Sequence, residues 1–193
     1  MRRPRVVFSK EALLGIVYSA GEQFREECYG FVFGDEPKDN RGPFSVTWVH
    51  QMGRVKRESS GDNSFVIPDA RAQNRLKALF EVTHAHVLGH IHSHPQKGSS
   101  TGDTSISDSD FERMENWDNS LEVIVSIFSY RGRKGIPWYV LGRDRSLRGS
   151  LGRFRFCIRV YARLGGEGKK KELYMLPIAS SAAKILNSIQ TGP

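Results

Sequence analysis

The chain is poor in cysteine: Cys28 and Cys157 are its only two in 193 residues, and they stand far apart. That excludes the dense disulfide framework of a small secreted scaffold and points to free thiols in a reducing compartment, so a cytoplasmic location is expected. Long apolar runs are also missing. The best candidates, residues 12–20 and 173–183, fall well short of the roughly 18 apolar residues a membrane helix needs, and no membrane association is expected. Arg2, Arg3 and Arg5 ahead of the run 12–20 imitate a secretion signal, but Lys10 and Glu11 directly precede that run, and no cleavage is expected. There is no internal repeat. Acidic residues are in deficit, 21 against 29 Lys and Arg, for a formal charge of +8. Ten of those basic residues lie between Arg143 and Lys171, so the chain has a mixed front and a basic rear.

What is present is a pattern of alternating helices and strands. Ser9 caps a helix expected to about Phe24, with Leu13, Leu14, Val17 and Ala20 at helical spacing. Residues 28–33 and 44–50 read as two strands of a hairpin. Pro68 starts a helix expected to run to about Val82 and to carry Ala72, Leu76, Leu79 and Phe80. A strand over 86–94, a polar loop over 96–107 and a helix from Ser107 to about Trp117 follow. Residues 121–130 are nearly all apolar and are expected to form a central strand, with a shorter strand at 138–141. Residues 154–160 alternate strictly, placing Phe154, Phe156, Ile158 and Val160 on one face and Arg153, Arg155, Cys157 and Arg159 on the other. This reads as a half-buried strand with a basic outer face. A terminal helix is expected over 179–189. The expected class is α/β, a mixed central β-sheet flanked by helices on both faces.

The chemistry concentrates in the segment from Gly89 to Asp110, where His90, His92 and His94 fall within five positions. On a strand, residues two apart face the same way, so His92 and His94 present two imidazoles on one side. Two histidines and a carboxylate, with one position left for water, make up one of the usual compositions of a catalytic zinc site. Asp103, Asp108 and Asp110 are the carboxylates within reach. A second segment carries Glu26 and Glu27 at the mouth of the buried strand Cys28 to Phe33, where a carboxylate needs a partner.

Glu27-Cys28-Tyr29-Gly30 before an apolar strand, Gly89-His90-Ile91-His92-Ser93-His94-Pro95, and Ser107-Asp108-Ser109-Asp110-Phe111 occur in that order. In these three motifs the chain resembles the JAMM (MPN+) zinc metalloproteases, which include isopeptidases that remove ubiquitin and ubiquitin-like modifiers. The resemblance runs from about Val7 to Leu141. It implies a JAMM/MPN catalytic core over 1–142, of cytidine-deaminase-like architecture; residues 143–193, which the resemblance does not reach, read as a basic strand and helix packed on the same domain. It also implies one Zn2+ per chain held by His92, His94 and Asp110, Glu27 as general base, and Ser107 as hydroxyl donor to the developing oxyanion. The implied substrate is a peptide or isopeptide bond at the C-terminal glycine of a ubiquitin-like or sulfur-carrier-like protein.

The chain departs from the family's common spacing, which would put Gly102 and Ser105 at the Ser and Asp positions; a loop longer by five residues brings Ser107 and Asp110 there. Ser105 and Asp108 share the same separation, so Asp108 competes for the third ligand position, although Phe111 and Met114 favour the later frame. His90, by alternation, shares the ligand face, as a supporting group or a substrate contact. Arg153, Arg155 and Arg159 offer a surface for an acidic partner. No nucleic-acid motif accompanies them, so a nucleic-acid partner is not expected. The competing readings are a non-catalytic scaffold of MPN type and a basic binding module.

Overall fold

The computed structural model describes residues 4–38, 42–53, 55–60, 63–95, 104–116, 120–129, 135–165 and 171–190. Among them the chain order is β1 (Val6–Phe8), α1 (Lys10–Glu22), β2 (Tyr29–Asp35), β3 (Phe44–Gln51), β4 (Val55–Ser60), β5 (Asn63–Pro68), α2 (Ala70–Val82) and β6 (Val87–Pro95). Then come α3 (Asp108–Asn116), β7 (Leu121–Ser129), β8 (Tyr139–Leu141), β9 (Ser146–Leu151), β10 (Phe154–Leu164), β11 (Glu172–Leu176) and α4 (Ser181–Gln190). No helix among the described residues is long and apolar enough to cross a membrane.

Nine strands form one mixed sheet in the order β1-β3-β2-β6-β7-β10-β9-β8, with β11 also on β10, while β4 and β5 pair separately as a hairpin. The strand β6 runs antiparallel to β2 and parallel to β7, and β10 lies antiparallel along the other side of β7 over nine residues. On its far side β10 meets β9 with its first half and β11 with its second. The sheet curls until its borders meet: Val6 donates to the Pro177 carbonyl at 3.0 Å, and Ala179 donates to the Val6 carbonyl at 2.8 Å.

Alternation along the strands gives the sheet two unlike faces. On one, Val32, Val46, Ile91, Val123, Val125, Ile158 and Val160 pack against Leu13, Ile16 and Val17 of α1 and Ala182 and Leu186 of α4. On the other, Tyr29, Phe31 and Phe33 pack against Ala72, Leu76 and Phe80 of α2. Two glycines of the motifs make the central strands fit. A side chain at Gly89 would place its Cβ 1.7 Å from the Leu121 carbonyl oxygen, and one at Gly30 would lie 2.3 Å from that of His50.

Several local expectations need correction. The second helix begins at Ala70, not Pro68, because the Asp69 carboxylate accepts from the Ala72 N–H at 2.7 Å and caps it there. The first ends at Glu22, two residues early. The strand expected over 154–160 continues to Leu164, held on both sides by β7 and β11. Its outer face is not solvated as expected. Cys157 and Tyr161 are buried there. The Tyr161 hydroxyl donates to the Thr104 carbonyl at 2.8 Å, and Arg163 donates to the Met114 carbonyl at 2.8 Å. The segment carrying α3 therefore lies across β10. Trp117 and Tyr130, the expected ends of two elements, and residues 96–103 and 166–170 of the expected loop and turn, lie outside the described residues.

Candidate metal centre

The site stands on the α2 and α3 face of the sheet, where β6 directs His90, His92 and His94. Register on the parallel neighbour puts His90 level with Glu122, His92 with Ile124 and His94 with Ser126. On β10 the same rows continue as Tyr161, Arg159 and Cys157. Opposite, on β2, Tyr29 pairs with His92. The backbone contact extends one residue further, Ser93 N–H donating to the Cys28 carbonyl at 3.1 Å and Cys28 N–H to the Ser93 hydroxyl at 2.9 Å. Glu27, half-buried, directly precedes Cys28, two residues before β2 begins.

The third element is the start of α3. Ser107 caps the helix. Its carbonyl accepts from the Phe111 N–H at 3.1 Å, and its hydroxyl accepts from the Asp110 N–H at 3.2 Å. In return the Asp110 Oδ2 accepts from the Ser107 hydroxyl at 2.7 Å and the Ser107 N–H at 3.0 Å. This reciprocal cap fixes Asp110, which is buried, and turns Oδ1 toward the histidines, 3.6 Å from His92 Nε2. Met114, fully buried, anchors the helix below.

His92, His94 and Asp110 thus bring together three donor atoms, all within 4.8 Å of one another, and this buried group could hold a metal ion. The fit can be tested on the donors themselves. His92 Nδ1 lies 2.7 Å from Glu122 Oε1 and donates to it. That leaves the Nε2 of a neutral ring as a lone pair facing His94 Nε2 at 3.0 Å. Two imidazole nitrogens so close need a proton or a cation between them. Metal-to-ligand bonds of about 2.0–2.1 Å at tetrahedral angles put neighbouring donors a little over 3 Å apart. Two of the three separations, 3.0 and 3.6 Å, bracket that spacing, and the third lies within 4.8 Å.

The electrostatics favour a cation. Burial alone would raise the Asp110 carboxyl, but His92, the two Ser107 hydrogen bonds and Arg113 hold it below the ordinary range, so it is a carboxylate at neutral pH. Burial would likewise depress His92, but the hydrogen bond and charge of Glu122 and the charge of Asp110 carry it upward. Burial pushes Glu122 up against the pull of His92. His90 is driven down to about 3 by burial and by the Arg113 and His92 charges, so it is neutral. It packs against Tyr29 and Phe31 with ring centroids 5.3 and 5.4 Å away.

Of the candidate carboxylates, Asp110 joins the group, Asp108 is exposed, and Asp103 lies outside the described residues. Ser107 is exposed beside Asp110, and its hydroxyl donates to that carboxylate. Arg159 does not stand free: it donates to Asp144 at 3.0 Å. Arg155 lies over the Phe128 ring and Arg153 over Phe154. Two residues of the site escaped sequence reasoning. Arg113 lies 3.4 Å from Asp110 Oδ1 and 5.3 Å over the Tyr29 ring. Glu122 lies beneath His92, and its signal was an acid inside an otherwise apolar strand. No protein-family model matches the chain, and no curated protein matches it significantly.

Proposed function

We propose that this chain is a zinc-dependent metallopeptidase of the JAMM (MPN+) type. Its substrate would be a peptide or isopeptide bond at the C-terminal glycine of a ubiquitin-like or sulfur-carrier-like protein. The observation that carries the reading is the convergence of His92, His94 and Asp110 from two elements, with Glu27 two residues before the adjoining strand β2. In this reading the two Nε2 atoms and the Asp110 carboxylate hold the ion. Zinc in such a site acidifies a water and polarises the scissile carbonyl. Glu27 takes the proton of the attacking water and returns it to the leaving amine. The Ser107 hydroxyl, exposed at the edge of the site, would turn its single proton from Asp110 to the developing oxyanion. Two free, buried thiols suit work in a reducing cytoplasm.

The test combines metal analysis with cleavage of a panel of ubiquitin-like fusions. About one zinc per chain is expected, with hydrolysis abolished by a strong chelator and restored by zinc. Glu27→Gln keeps the zinc and loses about 10² to 10⁴ in rate. Full activity in metal-free protein would overturn the mechanism, and loss of zinc in step with activity in Glu27→Gln would make Glu27 a ligand instead of a base.

A further inference from the structure

We infer that Glu122 is a positioning residue for the metal-binding His92, set behind the ring to present its Nε2 lone pair to the ion. The inference rests on the metal-site reading above. Glu122 is fully buried in β7, between Leu121 and Val123, whose side chains pack into the apolar core of the opposite face. A carboxylate there is costly to bury, and this one is sparsely repaid by hydrogen bonds. Its Oε1 meets His92 Nδ1 at 2.7 Å, while its Oε2 has no hydrogen-bond partner among the described residues and lies 3.8 Å from His90 Nδ1. A packing role at this position would be better filled by an apolar side chain of similar size.

What the carboxylate supplies is specific to the far side of the ring. By accepting a hydrogen bond from Nδ1–H it fixes the tautomer, and with it the edge of the imidazole that faces His94 and Asp110. Its negative charge also makes Nε2 a stronger donor to a cation. The pairing register makes this reach possible, since Glu122 stands level with His90 and one alternate position before the row of His92.

The test uses Glu122→Gln and Glu122→Leu in the full chain. Zinc affinity is measured by competition with a chromophoric chelator, the cobalt-loaded spectrum is recorded, and thermal unfolding is followed in metal-free protein. Gln can still accept a hydrogen bond from Nδ1–H, so it retains the fold. Zinc affinity should fall about tenfold in Gln and approach roughly 100-fold in Leu, with a shifted cobalt spectrum. The metal-free variants should unfold at the same temperature as wild type or higher, because a buried charge has gone. Unchanged affinity in a folded Gln variant overturns the role, as does lower metal-free stability with affinity intact. A wild-type chain that takes up neither metal overturns the metal-site reading itself, which equal affinities across all three proteins would not.

Discussion

The two faces of the central sheet are built from the same strands and could hardly differ more in what they bury. The face under α1 and α4 buries a hydrocarbon core, Val32, Val46, Val123, Val125, Ile158 and Val160 meeting Leu13, Ile16 and Leu186, with Phe156 and Trp138 in the same cluster. The other face buries His90, His92, Asp110 and Glu122 among aromatic rings. Removing hydrocarbon from water stabilises the first, whereas each ionisable group on the second opposes folding until a partner offsets it. The lesson is a division of labour within single strands: β6 and β7 give alternate residues to stability and to chemistry.

Substitutions on each face should separate these contributions. The largest effect belongs to Asp110→Ala, which removes a donor atom and should cost more metal affinity than the roughly 10- to 100-fold lost with an outer partner. Asp108→Ala, at an exposed position, should bind metal as wild type does. Zinc stoichiometry in the two variants checks this, and the opposite pattern would move the ligand frame by two residues. Next, Leu13→Ala on the face under α1 and α4 should destabilise by about 2–5 kcal/mol while leaving zinc affinity unchanged in the folded protein. Urea unfolding and chelator competition read the two quantities independently, and a coupled loss would break the comparison.

The smallest effect concerns neither face but the loop before β9. The Asp144 carboxylate accepts from the Ser146 N–H and hydroxyl, Arg159 and Arg148. Burial would raise it, but these partners bring it down to about 2. A folded-state value below the unfolded one, about 3.9, means that the stabilisation is complete above about pH 4 and lost as pH falls toward about 2. Asp144→Asn should therefore cost about 1 kcal/mol at neutral pH, and its deficit should vanish across that acid window. Urea midpoints at a series of pH values measure it.

The sequence is most legible where one local rule suffices. The Ser9 cap, the alternation of β10 and the approach of His92 to His94 each follow from spacing within a few residues. Asp110 was readable because Ser107, Phe111 and Met114 describe a capped, anchored helix start. The unread features depend on pairing between distant segments. The segment Ser-Leu-Arg-Gly-Ser-Leu of β9 carries no strong strand signal, and becomes a strand because β10 offers it a ladder. The fate of the arginines on β10 could not be read either, since Asp144 and the α3 segment reach them from other parts of the chain. Glu122 was visible as an oddity, but its partner His92 lies 30 residues away across a parallel pairing that no local pattern announces.

The threading of β10 has a consequence for how the protein is made. In the finished sheet β7 is flanked by β6 and β10, yet β10 is synthesised after β8 and β9. While the chain is being made, the strand Leu-Glu-Val-Ile-Val-Ser-Ile-Phe-Ser has an open edge until its partner leaves the ribosome. Such an edge, rich in β-branched residues and nearly uncharged, is a template for pairing with other nascent chains. A chain stopped after Gly142 would hold that state permanently. The interval between the emergence of β7 and that of β10 from the ribosome is thus one in which this edge can template aggregation.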